Sequence, residues 1–274
     1  MQKTPEIITS RQNALVSLTA SLADRKHRAR TGLFRFDGKK LLCEAQKAGV
    51  ELVAVLISAR AEREIVPLLL PLPEDCRLAV LSDALFDRLS EEKSPEGVIC
   101  VAKRLDKIHK IVTIDKRASF LEALLPGQTL LLESVRDPGN LGTVIRSAAA
   151  FGVPNLVLSA DCADLYHPRT IRGAMGTLFS RCVVVVEDAV HAAGELTRRG
   201  RVFAAALDAG AARLGTLRLG LADTVAVGNE GHGLSDALLA ACTDRVFIPM
   251  QAGVESLNAG VAASLLLWEF YRGR

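Results

Sequence analysis

Residues 253–271 read GVESLNAGVAASLLLWEFY. The run begins as a polar loop, Glu255-Ser256-Leu257-Asn258, and turns into a helix of small and apolar residues. Polar side chains therefore stand at a helix N-terminus, where unpaired N–H groups attract negative groups. Two earlier stretches are built alike. Asp137-Pro138-Gly139-Asn140-Leu141-Gly142 precedes a helix that carries Arg146, and Gly228-Asn229-Glu230-Gly231-His232-Gly233-Leu234 follows an apolar strand. All three loops fall at the ends of strands, so one pocket can gather them.

Around these loops, from Gln128 onward, strands and helices alternate. The pattern predicts strands at 129–134, 155–159, 182–186, 202–207, 224–227 and 246–250. Helices are predicted at 141–151, 168–178, 189–199 and 235–241, before the last helix. Strands that are apolar throughout and separated by helices imply a parallel sheet covered on both faces. Ligand sites in such sheets lie at the carboxyl ends of the strands.

Upstream, a smaller α/β domain is predicted. Ser10 is placed as the cap of a helix running to about residue 23, followed by the basic run Arg25-Lys26-His27-Arg28-Ala29-Arg30. Strands follow at 33–37, 52–58, 77–81 and 98–102, with helices at 39–48, 61–70 and 82–89. Residues 107–127 carry scattered charge and end in Pro126-Gly127, which reads as a linker between domains 1–106 and 128–274.

Composition narrows the function classes. About half of the 274 residues are apolar, as in a globular chain. No apolar run approaches the ~18 to 20 residues of a membrane helix. The first residues lack a signal-peptide core, so the expected location is the cytoplasm. Cys43, Cys76, Cys100, Cys162, Cys182 and Cys242 lie far apart with no C-x-x-C, which reads as reduced thiols and no zinc site. His232 has no second ligand at metal spacing, so no metal is expected. Net charge is only +3, but residues 1–40 hold nine cations against three anions. Such a patch suits phosphate binding, or is simply a solvated basic face.

The glycines do not make a dinucleotide fingerprint, since those of 228–233 run in the reverse of G-x-G-x-x-G, and no P-loop occurs. Asp137 to Asn140 is at minimum a turn. Ser256 or Asn258 taken singly reads as a helix cap. Arg146 lies among Val144, Ile145, Ala148 and Ala149, in a helix expected to be packed, so its guanidinium calls for an anion. That anion is a substrate phosphate or a neighbour such as Glu133.

Together the stretches ESVRDPGNLGTVIRSAAAFGV (133–153), GNEGHGL (228–234) and IPMQAGVESLNAGVAAS (248–264), with HPRTIRGAMGTLF (167–179) between the first two, closely resemble the signature motifs of the SpoU (TrmH) family. These are RNA ribose 2′-O-methyltransferases of the SPOUT superfamily. The resemblance covers 128–274. It extends to Ser10-Arg11-Gln12-Asn13, the run 25–30, Phe34-Arg35-Phe36-Asp37-Gly38 and Ser94-Pro95-Glu96-Gly97, which are similar to the family's RNA substrate-binding domain.

The resemblance implies a C-terminal SPOUT domain with a deep trefoil knot tied by 225–234, 247–253 and 257 onward. It implies S-adenosylmethionine held by Val227, Gly228, Asn229, Ile248, Met250, Gly253 and Leu257. Asn140, Arg146, Glu230, Ser256 and Asn258 are the implied catalytic set. Arg11, Asn13, Arg25, Lys26, Arg28 and Arg30 are the implied RNA contacts. Gly228 and Gly253 are read as places where a ligand approaches the backbone. A homodimer through the catalytic domain is also implied, although Leu265, Leu266, Trp268 and Phe270 suit a monomer core equally. Two departures are mild: Ala259 and Gly260 replace the family's valine and serine, and Asp37 replaces a glutamate. Ribosomal RNA is the expected substrate. The alternatives are transfer RNA and a non-catalytic RNA-binding assembly factor.

Overall fold

The computed structural model describes residues 4–105, 112–114, 120–208, 210–251, 253–254 and 256–272. The chain splits into two compact units, Met1–Leu105 with Tyr166–Phe179, and Asp106–Leu165 with Ser180–Arg274.

The first unit is a mixed sheet with helices. Its elements are β1 (Glu6–Ile8), α1 (Ala14–Ser21), α2 (Arg25–Thr31), β2 (Leu33–Asp37), α3 (Lys39–Lys47), β3 (Leu52–Ser58), α4 (Glu62–Ile65), β4 (Arg77–Leu81), α5 (Asp83–Leu89) and β5 (Val98–Lys103). The strand order is β1-β4-β3-β5-β2, parallel across the first three and antiparallel on both sides of β5. Ile8, Leu15, Leu22, Leu56, Leu81, Phe86 and Val101 are among the residues of its core.

Three expectations change here. Helix α1 begins at Ala14 because Asn13, not Ser10, accepts from Leu15 N at 2.8 Å. The basic run is itself a helix, capped by Asp24 and ended by Gly32 at φ 68°. The helix expected over 61–70 shortens to α4 with a single 3₁₀ turn on each side, since Pro67 has no N–H to continue it.

The segment 166–179 packs with this unit, although its sequence lies within the expected C-terminal domain. The Tyr166 hydroxyl accepts from Leu105 N at 2.7 Å, and the ring lies 4.9 Å from that of Phe34. Phe179 lies 5.3 Å from Phe36, and Arg172 pairs with Glu92 at 3.0 Å. Helix α7 (Pro168–Ala174) stops early because Met175 takes a left-handed conformation.

The second unit holds β6 (Val112–Ile114), β7 (Thr129–Leu132), α6 (Pro138–Ala150), β8 (Asn155–Ser159), β9 (Cys182–Val186), α8 (Ala189–Leu196), β10 (Val202–Ala205), β11 (Ala212–Arg213), β12 (Thr224–Val227), α9 (Asp236–Ala241), β13 (Asp244–Phe247) and α10 (Ala259–Arg272). All described strand pairs are parallel, in the order β11-β13-β10-β12-β7-β8-β9-β6. The chain steps from β7 to β8 and β9 on one side, then crosses to β10 and β12 on the other. The loops after β7 and β12 thus emerge side by side where the order reverses, the usual position of a ligand crevice. Strand β13 ends at Phe247, because Pro249 cannot donate to a ladder.

The expected linker 107–127 is only partly connecting chain. Its residues 107–111 and 115–119 lie outside the described residues. Val112–Ile114 pairs with β9. Phe120 and Leu124 are buried in the core cluster with Val184, Leu196 and Leu238. All six cysteines are free thiols. Among the described residues no helix is long and apolar enough to cross a membrane.

Candidate functional site

The loop after β12 and the stretch leading into α10 line one cavity of about 450 Å³ in the second unit, and the loop before α6 joins it through a hydrogen bond from Asn140 to Glu230. Each is fixed by local chemistry. Pro138 opens α6, and Asp137 caps it by accepting from Asn140 N at 2.8 Å. The loop after β12 closes on itself as Asn229 and Gly233 exchange backbone hydrogen bonds at 3.0 Å. Helix α10 is capped by Asn258, whose side-chain oxygen accepts from Gly260 N at 3.0 Å and Val261 N at 3.2 Å. Ser256 is not the cap. It is exposed at the cavity wall.

Val227, Gly228, Asn229, Ile248, Met250 and Leu257, six of the seven residues expected to hold a cofactor, line the cavity. Gly253 does not, and its residue type has another cause. It sits at φ 91° with open space beside it, so the turn requires glycine. Gly228 is likewise explained by the protein. A Cβ there would lie 2.2 Å from the carbonyl carbon of Gly233, so the strand end and its own loop could not pack.

Of the expected catalytic residues, Glu230 and Ser256 line the cavity, whereas Asn140 and Asn258 lie outside its lining and reach it by hydrogen bonds that end on Glu230. Asn258 Nδ2 donates to Asn140 Oδ1 at 2.9 Å, and Asn140 Nδ2 donates to Glu230 Oε1 at 2.8 Å. The chain fixes which way the Asn140 amide points. It also ties the N-termini of α6 and α10 to the loop after β12. Arg146 stands apart from this chain.

Arg146 lies on the exposed side of α6, not among the packed residues the sequence suggested. Glu133 does not serve it, because that carboxylate accepts from Ser235 N and Ser235 Oγ, each at 2.7 Å. Among the described residues Arg146 makes no ion pair. Its charge faces solvent, available to an anion.

Sequence reading missed several neighbours. Leu207, Leu234, Leu239, Val246 and Phe247 form apolar walls, and His232 joins the polar rim. Their residue types are those of any core strand, so only the topology marks them.

The expected RNA contacts divide. Arg11, Arg25, Lys26 and Arg30 are exposed. Asn13 is committed to capping α1. Arg28 is a correction: only 3% exposed, it donates to the carbonyls of Leu22 and Ala23 at 2.7 Å each and so stitches α2 to the end of α1.

A parallel sheet whose strand-end loops frame a small-molecule cavity defines an α/β enzyme. Residues 127–268 match the model of the SpoU rRNA methylase family, and residues 13–100 match that of an MRM3-like substrate-binding domain. The chain belongs to the SpoU rRNA methylase family. The 23S rRNA (guanosine(2553)-2′-O)-methyltransferase RlmP of Bacillus subtilis is 30% identical over 266 residues, covering 95% of this chain and 97% of that one. A 23S rRNA (uridine(2479)-2′-O)-methyltransferase of Streptomyces viridochromogenes is 29% identical, covering 97% and 92%. The structure of the SpoU methyltransferase AviRb from Streptomyces viridochromogenes in complex with AdoMet superposes with a TM-score of 0.77 at 25% identity, covering 95% and 98%.

Proposed function

We propose that this chain, an S-adenosylmethionine-dependent RNA ribose 2′-O-methyltransferase, modifies ribosomal RNA, with the cofactor in the cavity of the C-terminal unit and the ribose presented beside Asn140 and Arg146. One observation carries the site assignment. The Asn258–Asn140–Glu230 hydrogen-bond chain runs from the two helix N-termini to the wall of a cavity of ligand size.

The cavity suits the cofactor. Its volume of about 450 Å³ falls within the ~300–1,000 Å³ of small-molecule sites. Leu234, Leu239, Val246 and Ile248 offer apolar walls to a purine, and Asn229, Glu230, His232 and Ser256 offer polar groups to an amino acid moiety. When bound, S-adenosylmethionine supplies the electrophilic methyl group. The protein's own task is alignment and charge. Asn140, held at both ends of its amide, positions the acceptor nucleotide. Arg146 holds a phosphate of the RNA and stabilises the alkoxide that develops on the ribose, so that the hydroxyl proton passes to water. A guanidinium already carries its full complement of protons and does not itself take another.

Ribosomal RNA as substrate is supported by the relatives' activities and by the match to the substrate-binding domain. Exposed Arg11, Arg25, Lys26 and Arg30 supply phosphate contacts, and the site of action is cytoplasmic. The segments 225–234, 247–253 and 257 onward are read as the knot. The homodimer belongs to the same reading. Leu266 and Phe270 are core, but Val261, Leu265, Trp268 and Tyr271 leave an apolar stripe on α10 that is 38–48% exposed.

The test is transfer of labelled methyl from S-adenosylmethionine to undermethylated ribosomal RNA and to transfer RNA, followed by nuclease digestion. A 2′-O-methyl nucleotide in ribosomal RNA is the expected product. Label in transfer RNA alone overturns the substrate, and cofactor binding without transfer to either RNA overturns the enzymatic reading.

A further inference from the structure

We infer that Asp161 is a positioning residue for the cofactor loop, holding Ser134 in a left-handed conformation so that the Ser134 carbonyl anchors Asn229. The inference rests on the cavity being the S-adenosylmethionine site.

Ser134 lies two residues beyond β7 at φ 55°, a conformation that L-residues avoid and glycine takes freely. The chain carries serine there, and its polar atoms are all engaged. Ser134 N donates to Ser159 Oγ at 2.9 Å, and Ser134 Oγ donates to Asp161 at 2.5 Å. The Ser134 carbonyl accepts from Asn229 Nδ2 at 2.8 Å. Asn229 Oδ1 in turn accepts from Gly231 N at 2.8 Å and His232 N at 3.3 Å, which shapes the stretch lining the cavity. A rotated Ser134 would drop the Asn229 amide and release that stretch.

Asp161 is what keeps Ser134 from rotating. One carboxylate oxygen accepts from Ser159 Oγ at 2.6 Å, and the other accepts from Ser134 Oγ and, at 3.2 Å, from Arg136. Each hydroxyl spends its single proton on Asp161, which leaves a Ser159 lone pair for the Ser134 N–H. An ionised carboxylate alone among side chains accepts from all three at once. Partial burial works against its charge, yet the hydrogen bonds from Ser134, Ser159 and Arg136 hold its carboxyl below the ordinary value of 3.8. The Asp161 side chain is 47% exposed, so no core packing depends on it.

Calorimetric titration with S-adenosylmethionine of the wild-type protein, Asp161→Ala, Ser134→Gly and the double variant tests the assignment. Asp161→Ala should weaken binding roughly tenfold, the cost of reimposing an avoided conformation. Its melting temperature should change little, and the loss should fall on KM for the cofactor while kcat at saturation stays within ~2-fold. Ser134→Gly should bind like wild type. The double variant should recover that affinity, because glycine takes φ 55° without help. Asp161→Asn, which keeps the size but loses an acceptor, should fall between. Wild-type affinity in Asp161→Ala, or a double variant as weak as Asp161→Ala, overturns the inference while the cavity reading stands. A wild-type protein that does not bind the cofactor overturns both.

Discussion

The cavity loops of the second unit and the basic helix α2 of the first are both short polar runs on an apolar frame, but their polar groups are spent differently. In the loops they are spent on one another: Asn258 on Asn140, Asn140 on Glu230, Asn229 on Ser134. In α2, Arg25, Lys26 and Arg30 are left to solvent, while Arg28 alone is consumed by the backbone. The proposed roles ask for this difference: a site that must align two substrates needs groups that cannot move, whereas a surface proposed to attract a polyanion needs charge more than geometry.

The largest expected effect probes the stretch that crosses between the two sequence regions. Phe179, buried against Phe34 and Phe36, should cost roughly 3–5 kcal/mol of unfolding free energy in urea when changed to alanine. A loss near zero would show that 166–179 is not integral to the first unit. Next is Arg146→Ala, which should keep cofactor affinity and lose at least ~100-fold in turnover, as for one charge-stabilising group. A near-normal rate would remove Arg146 from the chemistry.

The contrast within α2 sharpens the comparison further. Arg28→Ala should lower stability by about 1–3 kcal/mol, because buried carbonyls lose their donor. It should leave the salt dependence of RNA binding unchanged. Arg25→Ala and Arg30→Ala should do the reverse, each making the slope of log K against log salt shallower by about 0.7–0.9. Equal slopes in all three variants would mean that the face does not touch phosphate.

The smallest effect is at Asp37. Burial raises its carboxyl above the ordinary 3.8, outweighing Arg35 beside it and the hydrogen bond from Ser90. The folded state thus holds the proton more tightly than the unfolded chain, so this group's contribution falls as pH rises from 3.8 through the folded value. Unfolding of Asp37→Asn across that window should lack the decline, and an unchanged pH dependence would contradict the assignment.

These contrasts follow what the sequence could carry. The strands 155–159, 182–186 and 224–227 were legible to the residue, because runs such as CVVVV have only the doubly covered interior of a parallel sheet to occupy. The loops were legible because Asp137-Pro138 and Asn258 are cap chemistry with fixed positions. Arg28 was not, since nothing in RKHRAR says which cation turns inward once the run coils. The place of 166–179 was hidden as well, because Tyr166 and Phe179 would bury equally well against either sheet. The network through Ser134 depends on a backbone angle that no residue type announces.

Hydrogen exchange measured with S-adenosylmethionine alone, and then with ribosomal RNA, tests the central claim most directly. Cofactor should slow exchange at 227–234 and 248–258 and leave 25–31 unchanged, with protection of 25–31 appearing only when RNA is added. Cofactor-induced protection confined to any other region, or none at the two loops, would contradict the account.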